Sequence, residues 1–350
     1  MKSWKTIGGS TIAALTLSLC LFAPRLWLMR TYLPGTFQWD RAHTFLKQCE
    51  APFRRDIEPA MAWRILPPLV CHAIGLRGYA PLSVPWLGVL AATGYVALVL
   101  QRRMSDGRAV FGGTLLFATT SAILVPTTWL GLNDAWVWFG LLAIAFGRTR
   151  WSFAAAALLC PWIDERFVIG LPLAWLVRSF DRNEAVFHRS ALQLLWVLPY
   201  LLVRIAFAGL APGQDASLSL LRQALAAVPV LLPMAPLGWW MALRAGWVAV
   251  GFGVWSLAWR QRWLALGVIG ATLMALLSVA SDISRSAAVI VPATVWGCVA
   301  FARWRPAQAP RALLLVGIAN LAIPAVHVTY TKLDVINPLP IEVIRLMRIP

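Results

Sequence analysis

The chain has 350 residues, of which 60% are hydrophobic and 13% charged, and its mean hydropathy is +0.71. Soluble domains carry about 25% charged residues, so this composition excludes an ordinary soluble enzyme and fits a chain that crosses a bilayer repeatedly. The formal charge of +17 would suit nucleic acid, but the basic residues fall in short clusters between apolar runs, which is how membrane topology is written.

The N-terminus, "MKSWKTIGGSTIAALTLSLCLFAPRLW", sets two lysines before an apolar segment, as a signal peptide does. No A-x-A site follows, and Leu19 before Cys20 is too bulky for a lipoprotein signal. An uncleaved first span over 6–24 is the expectation. Further apolar segments lie near 81–100, 109–129, 134–147, 151–163, 167–178, 190–209, 237–259, 263–280, 287–302 and 312–330. The fold class expected is an all-α polytopic membrane protein with about 11 transmembrane helices.

Arginines and lysines cluster in alternate connections. Lys2 and Lys5 come first, then Arg102, Arg103 and Arg108, then Arg148 and Arg150. Arg178, Arg182 and Arg189, then Arg260 and Arg262, then Arg303, Arg305 and Arg311 complete the set. The opposite connections, "LGLND", "IDERF" and "SDISRS", carry none or one. Positive residues stay inside, which places the N-terminus in the cytoplasm and the C-terminus outside. Most acidic residues then face outward. The whole chain, 1–350, reads as a single membrane domain. Its outer segments are a large first loop (25–80), a second loop (210–236) and a tail (331–350). Within the first loop, "RDIEPAMAWRILPPLVCHAIGL" has an apolar face with Arg64 opposite, as in a helix lying along the interface. Cys49 and Cys71 share this loop. Spacing alone fixes no pairing, and two free thiols is the plainer expectation.

The run "LLCPWIDERFVIGLPLAWLV" (158–177) breaks its apolar character at Asp164, Glu165 and Arg166. One continuous span would hold three charges in mid-membrane at several kcal/mol each. Two short helices meeting at a turn avoid that. At 1.5 Å per residue each half reaches about 18–20 Å, so the turn should sit below the outer surface in a recess open to water.

Candidate site residues follow from that layout. Arg166 and Arg285 open outer helix ends, where backbone N–H groups favour anions, and either suits a bidentate grip on phosphate. Local ion pairs are the plainer alternative: Arg166 with Asp164, and Arg285 with Asp282 three residues back. Asp134 begins a span and reads first as a capping carboxylate. Asp40 in "WDRAH" suits a general base on a hydroxyl, with Arg41 and His43 to orient it or hold phosphate; a solvated loop aspartate is the bland alternative. Arg204 and Arg244 lie near outer span ends, where snorkelling accounts for them, although an arginine inside a span also marks a site. No phosphate loop, G-x-S-x-G, H-E-x-x-H or metal-spaced Cys/His set is present. A structural metal is not expected, and a transient divalent cation stays open.

Four stretches resemble the bacterial GT-C-type integral-membrane glycosyltransferases: "WDRAH", "MAWRILPPLV", the long "LNDAWVWFG…PWIDERFVIGLPLAWLV" and "SDISRSAAVIVPATV". The resemblance implies transfer of a sugar from a polyprenyl-phosphate donor, a membrane lipid, to an extracytoplasmic glycan, lipid or protein acceptor at a bacterial inner membrane. It casts Asp40 as the base, Arg285 and Arg166 as donor-phosphate contacts, and Asp134 and Glu165 as further site acids. The chain differs in lacking a soluble domain and a paired-acid motif in the first loop. A transporter or flippase of a lipid-linked or anionic substrate is the rival reading, and a non-catalytic envelope-assembly protein the third. Transporters carry internal repeats and broken helices at the midplane, and no repeat is found here.

Overall fold

The computed structural model describes residues 2–26, 37–54, 56–57, 59–182, 189–210, 225–279 and 282–348. These are mostly helical. The helices are α1 (Lys2–Leu21), α2 (Phe37–Glu50), α3 (Pro59–Ala62), α4 (Leu66–Ala73), α5 (Ala80–Gln101), α6 (Gly107–Ala118) and α7 (Ser121–Thr128). There follow α8 (Asp134–Phe146), α9 (Arg150–Leu159), α10 (Arg166–Arg182), α11 (Leu198–Leu210) and α12 (Leu225–Leu243). The last are α13 (Gly246–Trp255), α14 (Trp259–Leu277), α15 (Ile283–Trp304), α16 (Ala309–Ala322) and α17 (Leu339–Met347). Several starts carry local caps: the Asp106 carboxylate accepts from the Arg108 and Ala109 N–H groups, and Thr149 Oγ1 accepts from Ser152 N.

Among the described residues, α5, α12 and α15 are each long and apolar enough to cross a membrane. Helices α6 and α7 pass that test as a pair bent by 53°. The chain is therefore a membrane-associated helical protein. Several other apolar helices are shorter than a bilayer core: the 10 residues of α13 reach about 15 Å.

Four expectations need correction. The 312–330 segment is helical only to Ala322, and Val326–Thr329 then pairs antiparallel with Lys332–Val335 as strands β1 and β2. One short hairpin thus follows α16 in a mostly helical fold that fits the expected all-α class; the β-branched run "VHVTYTKLDV" supplies the strand preference. The 237–259 segment is not one helix: it breaks at Arg244, whose φ is +50°. Nor does Arg244 snorkel, because its side chain is fully buried. Arg64 does not face solvent from one interfacial helix. It sits in the break between α3 and α4 and turns inward. Of the 210–236 loop, residues 211–224 lie outside the described residues, and helix resumes at Leu225.

The core forms around α15, of which 89% of the apolar window is buried, and around α8, which is buried almost throughout. Lipid tails are as apolar as leucine, so such helices associate through close packing at small residues. Gly297 is the tightest case: a Cβ there would lie 1.9 Å from the Ala249 carbonyl oxygen of α13. Helices α8, α10 and α15 run parallel. Their first turns meet through Asp134, Arg166 and Arg285. At their far ends Arg178 donates to the Ile144 and Gly147 carbonyls (3.0 and 2.8 Å), and Arg303 pairs with Asp181 at 3.0 Å. Arg103 bonds the same Asp181.

Replacing Gly297 by Val is expected to unseat α13 from α15, at roughly 3 kcal/mol. Gly267→Ala, where a Cβ meets nothing within 4 Å, should be neutral. Thermal unfolding in detergent compares the two, and equal midpoints would rule out the close α13–α15 contact.

Candidate functional site

The three parallel helix starts gather charge at one end of the bundle. Asp134 is the first residue of α8, where the exposed N–H groups and the helix dipole favour an anion. Asp164 lies two residues ahead of α10, and its Oδ1 accepts from the Arg166 backbone N–H at 3.0 Å. Asp282 stands at the N-cap of α15. Each acid therefore sits where a helix N-terminus offsets part of its charge.

Guanidinium groups offset the remainder. Arg166 reaches Asp134 at 2.5 Å and holds Asp164 by two bonds of 2.7 and 2.6 Å. Arg285 bonds both oxygens of Asp134, one at 2.9 Å, and donates to Asp282 at 2.7 Å. Arg64 closes the cluster from the first loop, 3.1 Å from Asp164 and 2.9 Å from Glu165. Asp134, Asp164, Arg166 and Arg285 are buried. The expected recess open to water is instead a closed ion network. Beside it lies a cleft of about 20 Å³, lined among others by Phe45, Gln48, Arg64, Asp134, Asp164 and Arg285. That is room for about one water.

Asp282 links the network to the β-hairpin. Thr329 Oγ1 donates to it at 2.8 Å, and His327 Nε2 lies 3.8 Å away. Ser284 Oγ contacts His327 Nδ1 at 3.0 Å and accepts from Val328 N at 3.0 Å. Burial alone would raise the pKa of Asp282, but the Arg285 charge and His327 outweigh it and hold the carboxyl well below its usual range. Burial lowers the pKa of His327, against the pull of Asp282.

Helix α2 covers the cleft. Gly131, at φ +78°, permits this: a Cβ there would lie 3.0 Å from the Ala42 Cα. Phe45 and Gln48 line the cleft, and Arg41 precedes them at i, i+4, i+7 spacing, on the same helical face. Asp40 is exposed at the first turn, about a third of a turn from that face. His43 falls on the opposite side. Of the sequence candidates, Asp134, Arg166, Glu165, Asp282 and Arg285 come together in one network, while Asp40, Arg41 and His43 lie on the covering helix. Arg244 is elsewhere: it donates to the Ile323 carbonyl at 2.7 Å and stands 4.8 Å from the Phe22 ring. Its Nε and second Nη have no partner among the described residues.

Sequence reasoning missed Arg64 and His327 as site residues. The Arg64 signal was available: a lone cation between two proline-bearing stretches, "EPAMAW" and "ILPPLV", marks a chain break more readily than a helix face. Among the described residues no set of three His, Cys, Asp or Glu side chains is grouped to hold a metal ion.

Asp134→Asn leaves two buried guanidiniums short of counter-charge and should cost roughly 3–5 kcal/mol. Asp56→Asn, in the exposed Arg54–Asp56 pair, should leave stability unchanged; denaturant unfolding in detergent measures both. His327 adds a pH dependence. Its folded pKa is depressed, so the unfolded chain binds the proton first. Stability should hold above the ordinary histidine value of about 6.5 and fall as pH drops below it, towards the lower folded value. His327→Gln should flatten that slope in unfolding midpoints compared at pH 7.5 and about 5.5. Compared with known families, curated proteins and solved structures, the chain finds no match in any of the three.

Proposed function

We propose that this chain is a polytopic glycosyltransferase of a bacterial inner membrane, moving a sugar from a polyprenyl-phosphate carrier to an extracytoplasmic acceptor hydroxyl. The observation that carries this reading is the gathering of Arg166, Arg285 and Asp134, from three separate helix starts, at one end of the bundle under α2. Arg103, Arg178, Arg182 and Arg303 mark the opposite end, so the positive-inside rule assigns the cluster to the outer face.

The chemistry asks for few parts. The acceptor oxygen attacks the anomeric carbon, the bond from that carbon to the phosphate oxygen breaks, and the carrier phosphate leaves with the electron pair. A carboxylate takes the acceptor proton. Arg166 and Arg285 are placed to hold the charge growing on the leaving phosphate, with Arg41 adding a cation from the covering helix. In the resting arrangement Asp134 occupies both guanidiniums, so the donor phosphate must displace it, and the freed carboxylate becomes available as a base. Asp40 is the second candidate for that role. Glu165 and Asp282 act through Arg64 and Arg285 as positioning residues.

Transport is the weaker reading. From Ala135 to Phe146, α8 bears no charged or hydroxylated side chain, so it offers no polar track away from the cluster. A larger cavity of about 570 Å³ does lie near the other end, between Phe180, Trp255, Trp296 and Trp304, but this apolar stretch separates the two.

The test is release of free polyprenyl phosphate from a panel of polyprenyl-phosphate sugars by the full chain in proteoliposomes. Arg285→Lys loses the bidentate fork and should slow release about 100-fold. Of Asp40→Asn and Asp134→Asn, the folded variant with no transfer identifies the base. A wild type that consumes no donor, or that only equilibrates it across the bilayer, overturns the proposal.

A further inference from the structure

Five cysteines are present, and two of them differ from the others in their surroundings. Cys20 is exposed on α1, and Cys160 and Cys298 are buried in the helical core. Cys49 and Cys71 are buried together, outside that core. They share a small apolar cluster with Phe45, packed against Leu76, Leu82 and Val84. Both are free thiols in the structure, packed within the same apolar cluster. His72 Nδ1 stands 3.0 Å from the Cys49 carbonyl oxygen, which ties α4 to the end of α2 beside the sulfur pair.

The position of the pair matters for the cleft. Phe45 and Gln48 of α2 and Pro67 of α4 all line it, so the two cysteines sit where the covering helix meets its support. Between α2 and α4 the described residues hold the four-residue α3 and the break at Arg64. A covalent link there closes a long loop, where a cross-link is most effective.

We propose that Cys49 and Cys71 are joined as a disulfide in the mature protein, clamping α2 to α4 over the cleft. This rests on the outward orientation in the sugar-transfer reading, because disulfides persist in the oxidising space outside the cytoplasmic membrane. The step is a thiol–disulfide exchange with an extracytoplasmic thiol oxidoreductase. One cysteine, as its thiolate, attacks the oxidoreductase disulfide to give a mixed disulfide, and the second displaces it. One S–S bond forms between Cys49 and Cys71, and two electrons with the two thiol protons pass to the oxidoreductase disulfide, which becomes a dithiol.

The full chain is made in its membrane, quenched in acid, alkylated with N-ethylmaleimide in denaturant and digested without reductant. The expected product is a single linked species of the Cys49 and Cys71 peptides, lighter by two hydrogens than the two thiol peptides together, with Cys160 and Cys298 alkylated. Reductant should release two peptides that then take label. Cys49 and Cys71 both alkylated before reduction overturns the bridge. Orientation is read separately, from Glu50→Cys in a Cys49→Ser/Cys71→Ser background with a membrane-impermeant maleimide. Labelling from outside with unbridged native cysteines sinks the bridge and leaves the topology standing. Labelling only after lysis with a bridged native pair keeps the bridge and removes the sugar-transfer reading.

Discussion

The Asp134 carboxylate, shared between Arg166 and Arg285, fixes how the three central helices stand to one another. It is the first residue of a buried helix, and the two arginines that reach it open neighbouring helices more than thirty and one hundred and fifty residues away. Apolar packing between such helices is weakly directional, because lipid and side chains are alike to a leucine. The ion contact is not: a guanidinium fork satisfies a carboxylate in few geometries. Registry of α8, α10 and α15 at this end is therefore set by charge, and at the other by Arg178 and Arg182 on the carbonyls of α8.

Burying such a network is costly, since the desolvation of each ion is repaid only when every partner is well placed. Four carboxylates, Asp134, Asp164, Glu165 and Asp282, face three guanidiniums, Arg64, Arg166 and Arg285. The side chains alone leave the cluster negative. Three helix N-termini converge on it, each equivalent to about half a positive charge, and they supply the balance. This accounts for Asp164 and Asp282 standing at helix starts, with Arg166 and Arg285 two and three residues later. A buried network of this kind also contributes specificity of arrangement more than stability, and a site needs that.

Much of this was legible because it follows local rules. Three charges inside an apolar run forced a turn at Asp164–Arg166, and the chain does break there between α9 and α10. The three-residue spacing of Asp282 and Arg285 predicts their pair, which forms. What the sequence could not carry was the sharing of Asp134 across three helices, because no local period links positions so far apart. Arg64 was misread for a related reason: an amphipathic pattern assumes one continuous helix, and the prolines on either side break it. In 312–330 the apolar composition continues smoothly through Val326–Thr329, so hydropathy alone could not separate a helix end from a strand. At Arg244 a charge near a span end looks ready to snorkel, whereas a break in the helix turns it inward onto a backbone carbonyl.

Saturated guanidiniums look at first unsuited to binding phosphate, yet charge conservation makes the arrangement coherent with the proposed transfer. A polyprenyl-phosphate sugar carries one negative charge on its phosphodiester, and the leaving carrier phosphate carries a second. That second charge would be added to a cluster whose excess of carboxylates is already offset by the helix N-termini alone. The acceptor proton settles the account if it lands on a carboxylate of the same network, because one anion is then neutralised as another is formed. Asp134 meets that condition, since it shares both arginines with any phosphate that displaces it. Asp40, exposed and a third of a turn from the cleft face of α2, would have to pass the benefit through solvent, where an interaction of this kind is several-fold weaker.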